Sequence, residues 1–323
     1  METLIGTDIG HAASLLRRGD VVAIPTETVY GLAANALDPD AVLRIYEAKH
    51  RPRFNPLILH LPSAESFNLY ARDIPEVCQL LAEAFSPGPL TFLLPRRANV
   101  PDIVTAGSDL VALRIPRHPV ALELLSGLSF PLAAPSANPS GYVSPVTAGH
   151  VLQGLGGRIP YILDGGPCTV GLESTIVSFP DGNIRIHRYG AVTPEDIERV
   201  TRKAPVEAIG QQNAPDAPGQ LKSHYAPVRP LYMGDVRTLL RQHAGRRVAV
   251  ISFRHRYEDA EPDLSLVLSP GGDLHEAARH LFQALRTADQ ADVDLILAEV
   301  FPPEGLGWAI NDRLSRAQFV HRT

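Results

Sequence analysis

The sequence predicts an α/β fold built on a mixed sheet, followed by a second, smaller α/β domain with a Rossmann-like rhythm. Three observations predict it. Short apolar runs alternate with stretches of helical period. Some strand-like runs follow one another with no helix between them, which a purely parallel sheet does not allow. Composition shifts near Ala204 into a stretch rich in Pro, Gln, Asn and Gly, and the strand–helix rhythm resumes beyond it. The expected organisation is a domain over 1–203, a linker over 204–229 and a smaller domain over 230–323.

The elements follow in order. "TDIGHAASLLRRGD" reads as a helix that Thr7 or Asp8 caps, Leu15 and Leu16 anchor and Gly19 stops. "VVAIP" is a short buried strand. It opens into "PTETVYGL", whose Thr26, Glu27, Thr28 and Tyr30 exceed what a plain turn needs. "DPDAVLRIYEAKH" is a helix with Asp38 as cap and Pro39 in the first turn. Then come the strand "PLILHL", the helix "IPEVCQLLAEAF", the strands "LTFLLP" and "LVALRIP" and the helix "HPVALELLSGL". "FPLAAPSAN" is a strand running into a loop, "TAGHVLQGLGG" a helix, and "YILDGG", "STIVSF" and "IRIHRY" three strands. Past the linker, "RRVAVISF", "LSLVLS" and "DLILAEVF" read as strands, "DLHEAARHLFQALRTAD" and "GWAINDRLSRAQ" as helices.

Composition narrows the function classes. The 323 residues carry a formal net charge of −5, which argues against a broad basic face for nucleic acid but not against a local basic groove. The two cysteines, Cys78 and Cys168, form no Cys-x-x-Cys pair, and few cysteines fit a reducing cytoplasm. The N-terminal stretch lacks the pattern of a signal peptide, and no apolar run approaches the ~18 residues of a membrane span. A soluble cytoplasmic protein is expected.

The usual phosphate loops are missing: neither G-x-x-x-x-G-K-[ST] nor a strand-linked G-x-G-x-x-G occurs. No zinc-binding pattern occurs, and the serine of "APSANPSG" lacks the G-x-S-x-G elbow. What remains is a series of polar clusters at strand ends, where α/β sheets bind ligands. "KHRPRFNPLILH" supplies Lys49, Arg51, Arg53, Asn55 and His60; "VALRIP" supplies Arg114; "PLAAPSANPSGYVSP" supplies Ser136, Asn138, Ser140 and Ser144. "DGGPCTVGLESTIV" adds Gly165, Gly166, Glu173, Ser174 and Thr175, and "IHRYG" adds Arg188. Each has a plain alternative. Lys49, Arg51 and Arg53 could be a solvated helix end, His60 a core histidine, Glu173 a paired carboxylate, and Ser136 and Asn138 turn formers. Arg114 lies on the strand face opposite Val111, Leu113 and Ile115, and would meet either a salt-bridge partner or a bound anion. Together the clusters describe an anion pocket without a dedicated metal cage.

Seven ordered motifs, "PTETVYGL", "KHRP…NPLILH", "SPGPLT", "VALRIPRHP", "AAPSANPSGYVSP", "DGG…GLESTIV" and "RYGAVTPEDI", closely resemble the YrdC-like threonylcarbamoyl-AMP synthases. "APGQLKSHYAP" and "GLGWAINDRLSRA" resemble the two-domain form of that family, so the likeness spans nearly the whole chain. The resemblance implies a twisted mixed YrdC-like sheet and synthesis of threonylcarbamoyl-adenylate from L-threonine, bicarbonate or CO2, and ATP, with release of pyrophosphate. Mg²⁺ would accompany ATP, with no tightly bound protein-ligated metal. The product would pass to a tRNA threonylcarbamoyl transferase for adenosine 37 of tRNAs reading ANN codons, direct tRNA binding being weak at most and a membrane playing no part. It further implies that Thr28, His60, Arg114, Ala134 and Ser174 contact threonine. Arg51, Asn55, Ser136, Asn138, Ser144, Arg188 and Tyr225 would contact ATP, and Lys49 and Arg51 would neutralise developing phosphate charge. Tyr225 would belong to a linker covering the nucleotide. Two departures stand out: Ser86 replaces a frequent Trp, and the linker reads "APGQLKSHYAP" where Ser-Pro-Gly-Met is more usual.

Two rivals share this kind of fold. A carbamoyl-adenylate-forming domain of hydrogenase maturation would carry zinc-binding Cys pairs, which are absent. A non-catalytic RNA-binding module would use a concave basic surface, against which the overall acidity speaks.

Overall fold

A computed structural model describes residues 1–207, 225–257 and 261–318. It divides into two units. The first holds Met1–Ser140, Pro145–Thr169 and the described residues from Glu173 to 207; the second holds Gly141–Ser144, Val170–Leu172 and the described residues from 225 onward. Most of the predicted linker, 208–224 with its "APGQLKSH" stretch, lies outside the described residues.

The first unit runs β1 (Leu4–Gly6), α1 (Ile9–Arg17), β2 (Val22–Ile24), β3 (Gly31–Asn35), α2 (Pro39–Lys49), β4 (Ile58–His60), α3 (Phe67–Tyr70), α4 (Glu76–Phe85), β5 (Leu90–Pro95), α5 (Asp102–Thr105) and β6 (Leu110–Arg114). It continues with α6 (Pro119–Ser126), β7 (Leu132–Ala133), α7 (Ala148–Leu155), β8 (Tyr161–Leu163), β9 (Thr175–Ser178), β10 (Arg185–Arg188), α8 (Pro194–Thr201) and β11 (Val206–Glu207). The strands form one sheet in the order β1-β8-β2-β3-β7-β4-β6-β5-β9-β10-β11. Parallel pairs such as β4 with β6 alternate with antiparallel ones such as β5 with β6, so the sheet is mixed.

Local chemistry explains the helix starts. Asp8 caps α1 by accepting from His11 N, and Asp38 caps α2 ahead of Pro39. Thr193 and Asp196 close a capping box on α8. Leu15 and Leu16 of α1 pack with Val22, Ile24, Leu132 and Leu163 of the sheet in one buried cluster.

One difference from the sequence reading bears on the site. "PTETVYGL" is not a strand opening into a simple loop. β2 and β3 pair antiparallel, with Ile24 opposite Gly31, so Pro25 to Tyr30 form the connection of a hairpin. Every residue from Val21 to Ala34 is buried. "GLAAN" hides this strand because Gly, Ala and Asn are poor strand formers; full burial overrides the propensity.

The second unit runs β12 (Leu231–Gly234), α9 (Val236–Gln242), β13 (Val248–Ser252), β14 (Leu264–Val267), α10 (Leu274–Gln290), β15 (Leu295–Glu299) and α11 (Gly307–Ala317). Its sheet, β12-β15-β13-β14, is parallel throughout, as its strand–helix rhythm predicts. Val236, Val248, Val250, Leu295 and Leu297 form its core against α9. Tyr142 donates from its hydroxyl to Asp289, and Arg286 donates to the carbonyls of Val143 and Ser144. Among the described residues no helix is long and apolar enough to cross a membrane.

Candidate functional site

The first unit gathers the predicted residues through contacts between strand ends. β4 and β6 run parallel with His60 opposite Arg114. Ala134, just past β7, donates its N–H to Ile58 O at 3.0 Å and so sits beside β4. His60 and Arg114 are 2% and 4% exposed, which makes both buried polar groups that need partners.

Arg114 finds its partner in the hairpin connection. Its Nη2 donates to Glu27 Oε1 at 2.8 Å and its Nε to Gly88 O at 3.3 Å. Glu27 Oε2 accepts from Arg117 N at 2.9 Å. The salt-bridge reading of Arg114 is therefore realised in this state. Sequence reasoning marked Glu27 with its polar neighbours in "PTETVYGL" but gave it no role in the site. The signal was there: a carboxylate in a buried loop of a chain with a buried arginine must pair with a cation.

His60 Nδ1 lies 3.3 Å from Ile58 O. A carbonyl only accepts, so Nδ1 carries the hydrogen and Nε2 keeps its lone pair. Burial, aided by the Arg114 charge, pushes the imidazole down to about 3, so it is neutral at ordinary pH. In the same hairpin connection Thr28 Oγ1 meets Thr26 Oγ1 at 2.8 Å, and Thr26 Oγ1 donates to Val29 O at 2.6 Å. Tyr30 OH shares its one hydrogen between Asp164 Oδ1, at 3.0 Å, and Gly166 O, at 2.8 Å, tying the connection to the "DGG" turn. That turn is tight: a Cβ on Gly165 would fall 2.5 Å from His118 Cε1. His118 itself is buried with Nδ1 unpartnered, and burial lowers its affinity for a proton.

Ser174 precedes β9. Its Oγ meets Thr91 Oγ1 at 2.7 Å, and Arg188 holds it twice, from Nε to the carbonyl and from Nη2 to Oγ, each at 3.0 Å. Thr175 N donates to Pro89 O, joining "LESTIV" to "SPGPLT".

The basic cluster after α2 is not a solvated helix end. Lys49 and Arg51 are buried; only Arg53 is exposed. Lys49 Nζ donates to the carbonyls of Ser136 and Asn138, and Ala137 N donates to Tyr30 O, so this ammonium holds the "PSAN" loop against the hairpin. Burial, and after it the charge of Arg51, lowers the Lys49 ammonium well below the ordinary lysine range. Arg51 donates to Asn55 O and Pro56 O, fixing the turn into β4. Asn55 is 1% exposed, yet both its amide nitrogen and its amide oxygen lack a partner. An orphaned buried amide costs about 1–3 kcal/mol per group, which makes Asn55 a group in need of a further polar partner.

Ser144 and Tyr225, predicted beside the nucleotide, fall in the second unit. Ser144 is fully buried and its carbonyl accepts from Arg286. Tyr225, at φ 64°, is fully buried, its ring 5.6 Å from that of Phe282 and beneath the Arg313 guanidinium. Among the described residues no group of three or more His, Cys, Asp or Glu side chains could hold a metal ion.

Comparison with known proteins agrees with this architecture. The Sua5–YciO–YrdC family model, described as telomere recombination, matches residues 14–190, and the threonylcarbamoyl-AMP synthase C-terminal domain matches 192–318. The threonylcarbamoyl-AMP synthase of Pyrococcus abyssi is 41% identical over 95% of this chain and 92% of its own length. That of Bacillus subtilis is 42% identical over 96% of this chain and 92% of its own. The crystal structure of P. abyssi Sua5 complexed with L-threonine superposes with a TM-score of 0.90 at 38% identity, covering 98% of both chains. With two domain models in series and relatives matched nearly end to end, this chain belongs to the threonylcarbamoyl-AMP synthase family in its two-domain form.

Proposed function

We propose that this chain is an L-threonylcarbamoyladenylate synthase. It converts L-threonine, bicarbonate or CO2, and ATP into threonylcarbamoyl-AMP and pyrophosphate. The observation that carries the reading is the buried pair of strand ends, where Arg114 stands in register with a neutral His60. A desolvated guanidinium beside an uncharged imidazole suits an amino acid, whose carboxylate needs a fork of donors and whose amine or hydroxyl needs an acceptor.

The roles divide as follows. Arg114 binds the threonine carboxylate with the N–H groups that Glu27 and Gly88 do not use. Nε2 of His60 accepts a hydrogen bond from threonine. Thr28 and the backbone of Ala134 line the same pocket, and Ser174 supplies a hydroxyl positioned by Arg188. Asn55 gives its unpartnered amide to the nucleotide, with Arg51, Ser136, Asn138 and Arg188 as further contacts. Lys49 acts chiefly by positioning: it holds the Ser136–Asn138 loop.

The threonine amine attacks the one-carbon donor and an N–C bond forms; with CO2 the nitrogen releases a proton, and with bicarbonate that proton leaves with the donor's hydroxyl as water. The carbamate oxygen then attacks the α-phosphorus, a new P–O bond forms, the bond to the β-phosphate oxygen breaks, and pyrophosphate departs. No protein nucleophile is needed. Positioning and neutralisation of developing phosphate charge by Arg51, Lys49 and Arg188 supply the catalysis. Mg²⁺ would arrive on the triphosphate, since the described residues offer no carboxylate cage for it. The product would go to a tRNA threonylcarbamoyl transferase in the cytoplasm.

Pyrophosphate release with ATP and Mg²⁺, omitting threonine or bicarbonate in turn, tests this. Release that needs both, with a threonylcarbamoyl-adenylate mass in the quenched mixture, is expected. Release with neither would identify a nucleotide hydrolase, and salt-sensitive tRNA binding without release an RNA-binding module.

A further inference from the structure

The second unit has a cavity of about 460 Å³ that the proposed reaction does not use. It lies by the carboxyl ends of the parallel strands β13 and β14, the position at which open α/β sheets take ligands. Arg254 and Arg256 come from the segment after β13, Leu268 and Pro270 from the segment after β14, and His280 and Ala284 from α10.

Four features of this cavity point to an anion with an apolar body. First, among the described residues its lining contains two arginines and a histidine and no Asp or Glu. Neither arginine has an ion pair or hydrogen bond among the described residues, although arginines elsewhere in this unit pair with Asp292, Asp294 and Asp312. Second, Arg254 lies close on Gly272, where a Cβ would fall 2.7 Å from its Nε; Gly272 has φ +79°, so the residue type and the backbone both accommodate the guanidinium. Third, His280 Nδ1 is 2.8 Å from Leu268 O, so it carries the hydrogen there and leaves Nε2 as an acceptor for a donor group on the organic body rather than for the anion. Fourth, the hydroxyl of Ser265 on β14 is buried at the cavity without a hydrogen-bond partner. Leu266, Leu268, Pro270 and Ala284 supply apolar surface beside these groups.

We propose that the second unit binds a small organic phosphate in this cavity, with Arg254 and Arg256 on the phosphate and the Leu268–Ala284 surface against its organic body. The volume suits a molecule of nucleoside monophosphate size, and paired guanidinium groups match the several oxygens of a phosphate. A nucleic-acid backbone would need a track of cations rather than one concave site. The proposal uses residues of the second unit only and does not depend on the synthase reading.

The test is equilibrium dialysis of the full chain with AMP, compared with Arg254→Glu/Arg256→Glu and with Arg51→Ala. Both arginines of the pair are exposed, so the charge reversal leaves the core untouched. The expected result is a class of AMP sites that weakens at least tenfold in Arg254→Glu/Arg256→Glu, persists in Arg51→Ala and weakens with rising salt, while pyrophosphate release stays at the wild-type level. An AMP isotherm unchanged by the double reversal would overturn the proposal. So would inorganic phosphate binding as tightly as AMP, which would remove the organic body. Loss of tRNA binding alone in the double variant would overturn it in favour of a nucleic-acid surface.

Discussion

Arg114 and Glu27 form a buried ion pair at 2.8 Å, with side chains 4% and 2% exposed, that ties the hairpin connection Pro25 to Tyr30 to the end of β6. Removing either partner strands the other charge away from water, which costs about 3–5 kcal/mol. Glu27→Ala and Arg114→Ala should each lower stability by that order in urea unfolding. The double substitution should cost less than the sum of the two. Additive losses would show that the pair is not coupled.

The same pair bears on substrate. If Arg114 takes the threonine carboxylate, Arg114→Ala should raise the threonine KM at least tenfold and leave the ATP KM within about twofold, since a charge-assisted contact is worth about 1.5–3 kcal/mol. Arg51→Ala should do the reverse. Steady-state pyrophosphate release, measured below the unfolding range of each variant, separates the two. Equal effects on both substrates would undo the division of the site.

How far these residues were legible in the sequence depended on what each one does. Arg114, His60 and Asn55 stand out because a polar side chain at the end of an apolar run must be explained. Their partners are harder to see. Glu27 lies 87 residues from Arg114, and Ser174 lies 83 from Thr91, so only the sheet order brings them together. β3 was hidden because its residues carry no strand propensity. β12, α9 and the four-residue helices α3 and α5 were missed because they are too short to show a period. Lys49 was legible as a cation but not as the residue that holds the "PSAN" loop, because its partners are backbone carbonyls that any sequence would supply.

Asn55 should show a trade between stability and function. Its amide is buried and unpartnered, so the ligand-free fold carries a desolvation cost that an apolar side chain of similar volume would remove. Asn55→Leu should leave the melting temperature of the ligand-free chain unchanged or higher. The ATP KM should rise at least tenfold, and stabilisation by ATP should disappear. A variant that loses stability and keeps ATP binding would mean that the amide serves the fold.

His60 makes the fold acid-sensitive. Its imidazole is held at about 3 in the folded chain, against about 6.5 when unfolded. Between these values the unfolded state binds more protons, so the stability contributed by neutral His60 is full above pH 6.5 and is lost progressively as pH falls toward 3. At pH 5 the loss is about 2 kcal/mol by this linkage. Wild type should therefore lose about that much more than His60→Gln between pH 7.5 and pH 5 in urea unfolding. Parallel curves for the two proteins would show that His60 is not the group responsible. The neutral state also means that the threonine KM should show no His60 ionisation above pH 5.

Gly190, in "RYG", leaves out a side chain where the proposed nucleotide and threonine sides of the site meet. A Cβ there would lie 2.3 Å from Thr175 N, 2.4 Å from Glu173 O and 2.5 Å from the Ser174 carbonyl carbon. All three are backbone atoms, so no rotamer change relieves the clash and the chain before β9 must move. That segment holds Ser174 against Arg188 and Thr91, and its Thr175 N–H bonds Pro89 O. Gly190→Ala should destabilise the chain by about 1–3 kcal/mol, as overpacking does. It should also raise the KM of threonine and of ATP together, because Ser174 and Arg188 shift as one body. Gly149 is the control: it lies near the start of α7, and a Cβ there would meet only Thr147 Oγ1, at 3.8 Å. Gly149→Ala should be neutral or stabilising by about 0.5–1 kcal/mol, with both KM values unchanged. A Gly190→Ala protein as stable and active as the Gly149→Ala one would mean that the close approach of Gly190 to residues 173–175 does not organise the site.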